Sequence, residues 1–296
     1  MLTTFSICIV IIAAVIPAGV HLGFRAPRIR ETGSPADYGL AFEQLRIPTV
    51  RGRYLFGWLL AAPHATCTIV VLHGWGSNAE LMLPLAIPLR RAGFNLLLCD
   101  ARSHGRSDAD SFSSLPRFAE DLGMSIAWLK DRHPRRADRI AVLGHSVGAG
   151  AALFEASRNT DIAAVISIAA FADPAQVTAG YLRPLHFPRL VIRLVSRYVE
   201  WIIGYRFAAI APMNTVRSIT CPILLVHGTA DQTVAVDDAH LILANCGAPY
   251  ARLLEIGGAG HNSVDQIERH LGDLLGFLAE HCPASERPFT AATSLS

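Results

Sequence analysis

The stretch Arg139-Ile-Ala-Val-Leu-Gly-His-Ser-Val-Gly-Ala-Gly-Ala-Ala-Leu153 decides how the chain is read. Ile140 to Leu143 is a short apolar run with β-branched residues, as in a buried strand. Gly144-His-Ser-Val-Gly148 fits the pattern G-x-S-x-G, and small helix-forming residues follow from Ala149 to Ala156. Strand, sharp turn and helix form the context in which this pattern exposes a serine nucleophile. So sharp a turn strains the serine backbone, and the residues two away on each side must lack bulk; Gly144 and Gly148 satisfy that demand. Ser146 then projects from the end of the sheet, and the following helix aims N–H groups and its positive dipole end at the same point. Read alone, the window also fits a glycine-rich turn with an incidental serine.

Outward from this unit the chain alternates strand and helix. Phe42 to Thr49 and Tyr54 to Ala61 read as strands joined by a turn at Val50–Arg53. Further strands are expected at Thr66–Leu72, Phe94–Asp100, Ala163–Ile168, Ile223–His227 and Ala251–Ile256, and helices at Asn78–Ala92, Phe118–Asp131, Val236–Ala244 and Ser263–Ala279. The pattern predicts an α/β fold, a mostly parallel central sheet with helices on both faces. The 296 residues, 51% hydrophobic and 17% charged, suffice for one core. A net charge of +2 supplies no field to recruit nucleic acid, so no nucleic-acid partner is expected. The six cysteines form no C-x-x-C pair, which speaks against a zinc or redox motif. Cys67 and Cys99 read as small core residues, and the usage fits a reducing compartment.

A serine nucleophile needs a base, and the base an orienting acid. In this architecture the order along the chain is Ser, Asp or Glu, His. Among twelve histidines His261 stands out, in Gly257-Gly-Ala-Gly-His-Asn262 just after the last strand. Asp231, just after the preceding strand, is the preferred acid, and Asp173, after the strand that follows Ser146, is its rival. All lie where open α/β sheets place their sites, at the carboxyl ends of strands. An oxyanion hole needs two fixed donors: the N–H of Val147 is one, and Trp75 in His73-Gly-Trp-Gly76 offers the other. His73 and His145 read as structural, tying loops together. Asp100, Arg102 and His104 fit either a buried network behind the site or an ordinary solvated loop.

Phe5 to Phe24 is almost wholly apolar and, as a helix, spans roughly 30 Å, one hydrocarbon thickness. No basic residue precedes it, and Arg25, Arg28 and Arg30 follow it. Residues 1–24 therefore read as an N-terminal membrane anchor with the catalytic domain on the cytoplasmic side; a signal peptide or a buried helix is the alternative. Residues 25–39 read as a linker, 40–282 as the folded domain and 283–296 as a frayed tail. Within the domain, 171–220 is an insertion. There Pro188 opens a helix running to Ile203, with Arg189, Arg193 and Arg197 on one face and Leu190, Leu194, Val195, Tyr198, Trp201 and Ile202 on another. Packed on the body it would wall the substrate pocket; it would also suit a membrane surface.

From Leu40 to about Cys282 the chain resembles the α/β-hydrolase superfamily. His73-Gly-Trp-Gly76, D-x-R-x-H-G-x-S from Asp100, Gly144-His-Ser-Val-Gly148, H-G-x-x-D from His227 and G-x-G-H from Gly258 stand in the family's order. The set is most similar to the branch of monoacylglycerol lipases and serine-aminopeptidase-like hydrolases. That resemblance implies a Ser-His-Asp acyl hydrolase (Ser146, His261, Asp231) that needs no cofactor and no metal, with a helical cap at the insertion. A small-molecule ester with a lipid-like or otherwise apolar acyl group is the expected substrate. A peptidase or amidase of the same fold, or a non-catalytic membrane-tethered binding protein, are the alternatives; an amine-binding peptidase would need a cap carboxylate, and Glu200 is the only acidic side chain between Asp173 and Thr220.

Overall fold

The computed structural model describes residues 17–183, 186–248, 250–263, 266–267 and 269–285. Among them one eight-stranded sheet forms from β1 (Glu43–Pro48), β2 (Tyr54–Leu60), β3 (Cys67–Leu72), β4 (Asn95–Cys99), β5 (Arg139–His145), β6 (Ile162–Ile168), β7 (Ile223–Gly228) and β8 (Ala251–Ile256), in the order β1-β2-β4-β3-β5-β6-β7-β8. β1 and β2 pair antiparallel, as do β2 and β4, and the remaining neighbours run parallel. The connecting helices are α1 (Leu83–Arg91), α2 (Leu115–Arg132), α3 (Val147–Ala156), α4 (Pro174–Leu182), α5 (Arg189–Ile203), α6 (Val236–Ala244) and α7 (Leu271–His281). This is the α/β-hydrolase fold.

A parallel sheet must be covered on both faces, so its strands are apolar throughout. Val70, Leu72 and Val142 face one core with Phe118 and Leu122 of α2 and Leu153 of α3. Their neighbours Ile69, Val71, Ala141 and Leu143 face a second core with Leu85 and Leu89 of α1 and Leu274 and Leu278 of α7. Each Val, Ile, Leu or Phe side chain buried there contributes about 1.5–3 kcal/mol, and the two cores fix the register because a one-residue slip would exchange their faces.

The strand order also positions the site. From β3 the chain moves outward to β4, then returns to the other side of β3 for β5. The loops leaving β3 and β5 therefore diverge and open a crevice at their carboxyl ends, the switch point where open sheets bind ligands.

Several expectations need correction. Cys67 is more than a small core residue: it forms a disulfide with Cys282, 215 residues away, which ties β3 to the end of α7. The case for a reducing compartment from cysteine usage goes with it. Cys99, Cys221 and Cys246 are free. The segment expected to be helical from Asn78 opens instead with a 3₁₀ turn, Glu80–Met82, and the Asn78 carboxamide accepts the Leu81 N–H at 3.1 Å. Ahead of the last helix, Leu271–His281, Gln266 and Ile267 are also helical; their N–H groups donate to the Ser263 carbonyl at 3.1 and 3.2 Å, and the Ser263 hydroxyl accepts the Gly260 N–H at 2.9 Å.

Of the expected anchor, residues 1–16 lie outside the described residues, as do 286–296 of the tail. Residues 17–23 are helical, and among the described residues no helix is long and apolar enough to cross a membrane. The expected linker lies along the domain: Arg28 donates to the carbonyls of Gly105 and Ser107, and Thr32 N–H and Gly33 N–H donate to Glu80 at 2.7 and 2.9 Å.

Candidate active site

β5 delivers the chain to Ser146 under strain. Its N–H donates to Ile168 of β6 at 2.8 Å, while its own backbone sits at φ 55°, ψ −120°. For a residue with a side chain that region costs on the order of 1–3 kcal/mol. The flanking glycines make the turn possible: a Cβ at Gly144 would run into the Gly148 carbonyl, and one at Gly148 into the carbonyls of His73 and Leu72. The Ser146 carbonyl already accepts from Ala149 and Gly150 at 3.0 and 3.1 Å, so α3 begins at once.

Two loops on the same sheet edge complete a line of hydrogen bonds. His261 Nε2 lies 2.9 Å from Ser146 Oγ, and His261 Nδ1 2.7 Å from Asp231 Oδ2. The Asp231 carboxylate is fully buried, and its other oxygen accepts from Thr233 N–H and Val234 N–H at 2.8 and 2.9 Å. Three donors thus fix its orientation. A hydroxyl held by an imidazole, itself held by a fixed carboxylate, is the arrangement that lets a serine lose its proton as it attacks. Asp173 stands elsewhere: its side chain accepts the Ala175 N–H at 2.8 Å and caps α4.

Gly74 rests directly on Ser146, since a Cβ there would lie 3.2 Å from Ser146 Cβ. The next residue is Trp75, and Val147 is the first residue of α3. Among the described residues neither the Trp75 nor the Val147 N–H carries a hydrogen bond. An oxyanion hole needs donors left free in this way.

The two structural histidines tie this arrangement together. His145 Nε2–H donates to the His261 carbonyl at 2.8 Å; burial pushes its pKa down to about 4, so the ring is neutral. His73 Nδ1–H donates to the Gly74 carbonyl at 2.7 Å, and its Nε2 accepts the Ala101 N–H at 3.0 Å, which also requires a neutral ring. Burial, reinforced by His104, lowers it to about 3. Of the two readings of the Asp100 loop, the buried network is the one found. Asp100, Arg102 and His104 are all buried. Arg102 Nε lies 2.7 Å from Asp121 and its other nitrogens reach Asp110 and Glu120. Asp100 accepts the N–H groups of Ala79 and Arg106, both at 2.8 Å. Burial, then the adjacent Glu31 carboxyl, push its pKa well above the usual carboxylate range.

In the insertion, α5 packs through Val195 and Val199. One groove that it lines holds Asp173, Arg193, Glu200 and Phe207 and none of Ser146, Asp231 or His261. Glu200 is spent on Arg197 at 3.3 Å, Arg206 at 2.9 Å and the Phe207 N–H at 2.9 Å. What the sequence concealed is the course of residues 24–33 past Trp75; a mixture of Arg, Pro, Gly and Thr has no period to betray a docked segment.

Comparison with known proteins agrees with this architecture. Residues 63–209 match the family model described as serine aminopeptidase, S33. The Bacillus subtilis protein YqkD is 27% identical over 240 residues, 77% of this chain and 78% of its own. Alpha/beta hydrolase domain-containing protein 17B of Xenopus laevis is 25% identical over 242 residues, 81% of this chain and 76% of its own. Among solved structures the Pyrococcus furiosus esterase Pf2001 superposes with a TM-score of 0.72 at 25% identity, covering 87% of this chain and 97% of that one. Strand order, strained serine turn and these matches together make the chain a member of the α/β-hydrolase superfamily, in its serine aminopeptidase S33 branch.

Proposed function

We propose that this hydrolase-fold protein is a serine hydrolase that cleaves carboxylic esters with lipid-like or other apolar acyl groups. The observation that carries the reading is the 2.9 Å approach of His261 Nε2 to Ser146 Oγ with Asp231 buried behind it. In the first step His261 takes the Ser146 proton while Oγ bonds to the acyl carbon. The carbonyl oxygen gains the charge and accepts from the N–H groups of Trp75 and Val147. As the tetrahedral adduct collapses, the bond to the leaving alkoxide breaks and His261 Nε2–H protonates it. Water then gives its proton to His261 and attacks the acyl-serine, releasing the acid and restoring Ser146.

An ester is favoured over a peptide with a free amine because Glu200, the one acidic side chain between Asp173 and Thr220, is occupied by Arg197, Arg206 and Phe207. The naming of Pf2001 as an esterase supports the same class. The test is hydrolysis of p-nitrophenyl esters of graded chain length by the full chain. Activity that rises from acetate to longer acyl groups supports the reading; cleavage of aminoacyl amides alone overturns it in favour of a peptidase.

The membrane is the proposed partner. The apolar run at Phe5–Phe24 would insert, and α5 would lie on the surface. Its exposed side carries two adjoining strips: Arg189, Arg193 and Arg197 beside Leu190, Leu194 and Trp201, which are 64%, 58% and 76% exposed. The apolar strip continues through Tyr198, 3.4 Å from His21, onto the N-terminal helix with its exposed Leu22. For the side of the membrane, Arg25, Arg28 and Arg30 favour a cytosolic domain, which we adopt. The Cys67–Cys282 bond favours an oxidising compartment, so external protease that digests the domain in intact cells would reverse the orientation.

A further inference from the structure

Residues 24–33 run beside the loop that follows β3, partner by partner. The Phe24 ring meets Trp75 edge-on at 6.4 Å. Pro27 lies on Gly76, where a Cβ would come within 2.8 Å of its ring. The Asn78 carboxamide donates to the Ile29 carbonyl at 3.1 Å. The Glu80 carboxylate accepts the N–H groups of Thr32 and Gly33 at 2.7 and 2.9 Å. On its other side the segment is held by the Ser113 N–H on the Phe24 carbonyl at 2.9 Å, by Arg28 on the Gly105 and Ser107 carbonyls, and by Glu31 beside Asp100.

The loop needs such a hold. Trp75 stands between two glycines, its side chain is 37% exposed, and Phe24 and His104 are the rings that clasp it. Glycines allow the backbone to turn toward Ser146 but do not keep it there. A donor displaced by about 1 Å can cost on the order of 100-fold in rate.

We propose that residues 24–33 are a positioning element of the active site, a strap that fixes the His73–Glu80 loop and so holds the Trp75 N–H where the substrate oxygen gathers charge. The inference rests on the reading of Trp75 as an oxyanion donor and goes beyond it. The stretch that joins the apolar N-terminal run to the domain thereby becomes part of the reaction's geometry. Phe24, Pro27 and Glu80 act through Trp75; none of them touches the reacting atoms.

The experiment uses the full chain with Phe24→Ala, Phe24→Leu, Glu80→Ala and Glu80→Gln. With a p-nitrophenyl ester, Phe24→Ala and Glu80→Ala should lower kcat about 10- to 100-fold and change KM less than about threefold. Affinity for a trifluoromethyl ketone, whose hemiketal oxygen needs the same donors, should fall in parallel with kcat. Glu80→Gln, which keeps one acceptor for the strap, should recover most of the loss. If an alanine variant folds poorly, Phe24→Leu keeps the apolar bulk, and 5-fluorotryptophan at position 75 reports the loop directly: its fluorine resonance should shift and broaden. Folded variants with the kcat, ketone affinity and resonance of the unaltered protein overturn the strap, as does a loss confined to KM. If the unaltered chain takes no fluorophosphonate label and cleaves no ester, the Ser146 reading falls and the strap with it; a labelled, active chain whose strap variants match it sinks the strap alone.

Discussion

The turn at Ser146 and the strap at residues 24–33 meet at the same crevice, yet opposite means hold them. In the turn, backbone is wedged against backbone: side chains at 144 or 148 would strike main-chain carbonyls that cannot move aside. In the strap, separate hydrogen bonds and ring contacts reach partners 47 to 89 residues away. The first device demands a residue type at a fixed spacing. The second accepts many sequences and depends on where the rest of the chain has gone. One is a rigid centre, the other an adjustable support, and each fails in its own way when altered.

The largest effects should come from the rigid centre. His261→Ala should lower kcat by about four orders of magnitude, with little change in thermal midpoint, as losses of a triad base do. Asp231→Asn should cost nearly as much, whereas Asp173→Asn should cost only part of a helix cap, about 1 kcal/mol of stability. A reversed ranking of the two aspartates in kcat would move the acid to Asp173 and break the comparison at its firm end.

Next in size is the staple far from the crevice. Cys282→Ala removes the tie between β3 and α7 and should lower unfolding free energy by about 2–5 kcal/mol, while kcat at 25 °C stays near that of the unaltered chain. Denaturant unfolding with and without reductant measures it. Equal curves would mean that the bond contributes nothing to the fold.

Smaller again is the effect of acid on the two tying histidines. Burial holds His145 at about 4 and, with His104, His73 at about 3. Both values lie below that of a free imidazole, about 6.5, so as pH falls the unfolded chain takes up protons before the native one does. Stability is therefore full above about pH 6.5 and declines as pH falls toward 4, by at most ~1.4 kcal/mol per pH unit for each ring. His145→Gln should flatten the profile. A midpoint unchanged between pH 7.5 and pH 5 contradicts the neutral rings.

The smallest expected effect lies on the surface of the cap. Changing Arg189, Arg193 and Arg197 together to Gln should weaken binding to anionic vesicles by about 1 kcal/mol per arginine at most, less for Arg197, which Glu200 already engages. Activity on vesicle-borne esters should fall while soluble short-chain esters are spared. Equal losses on both substrates would leave α5 as packing alone.

How much of this the sequence could reveal follows from the same contrast. Ile140–Leu143 with Gly144 and Gly148 announces a strand and a turn that no bulky residue permits, and Asp231 and His261 stand at strand ends, so the line of three is legible in the sequence alone. The Asp100 loop was half legible: its charges suit solvent, and only the carboxylates Asp110 and Asp121, brought in by the following turn and helix, make burial of Arg102 tolerable. Cys67 and Cys282 could not be paired from spacing, because their meeting depends on α7 folding back under β3. The strap was read as a linker since Pro27, Gly33 and three arginines are what linkers contain; its partners at Trp75, Asn78 and Glu80 become visible only after the β3 loop has its place.

The central claim is that Ser146 is the nucleophile, activated by His261. Its most direct measurement is fluorophosphonate labelling of the full chain followed by peptide mass spectrometry. The account predicts one adduct, on Ser146, absent from Ser146→Ala and much slowed in His261→Ala; an adduct on another residue, or labelling that persists in Ser146→Ala, contradicts it.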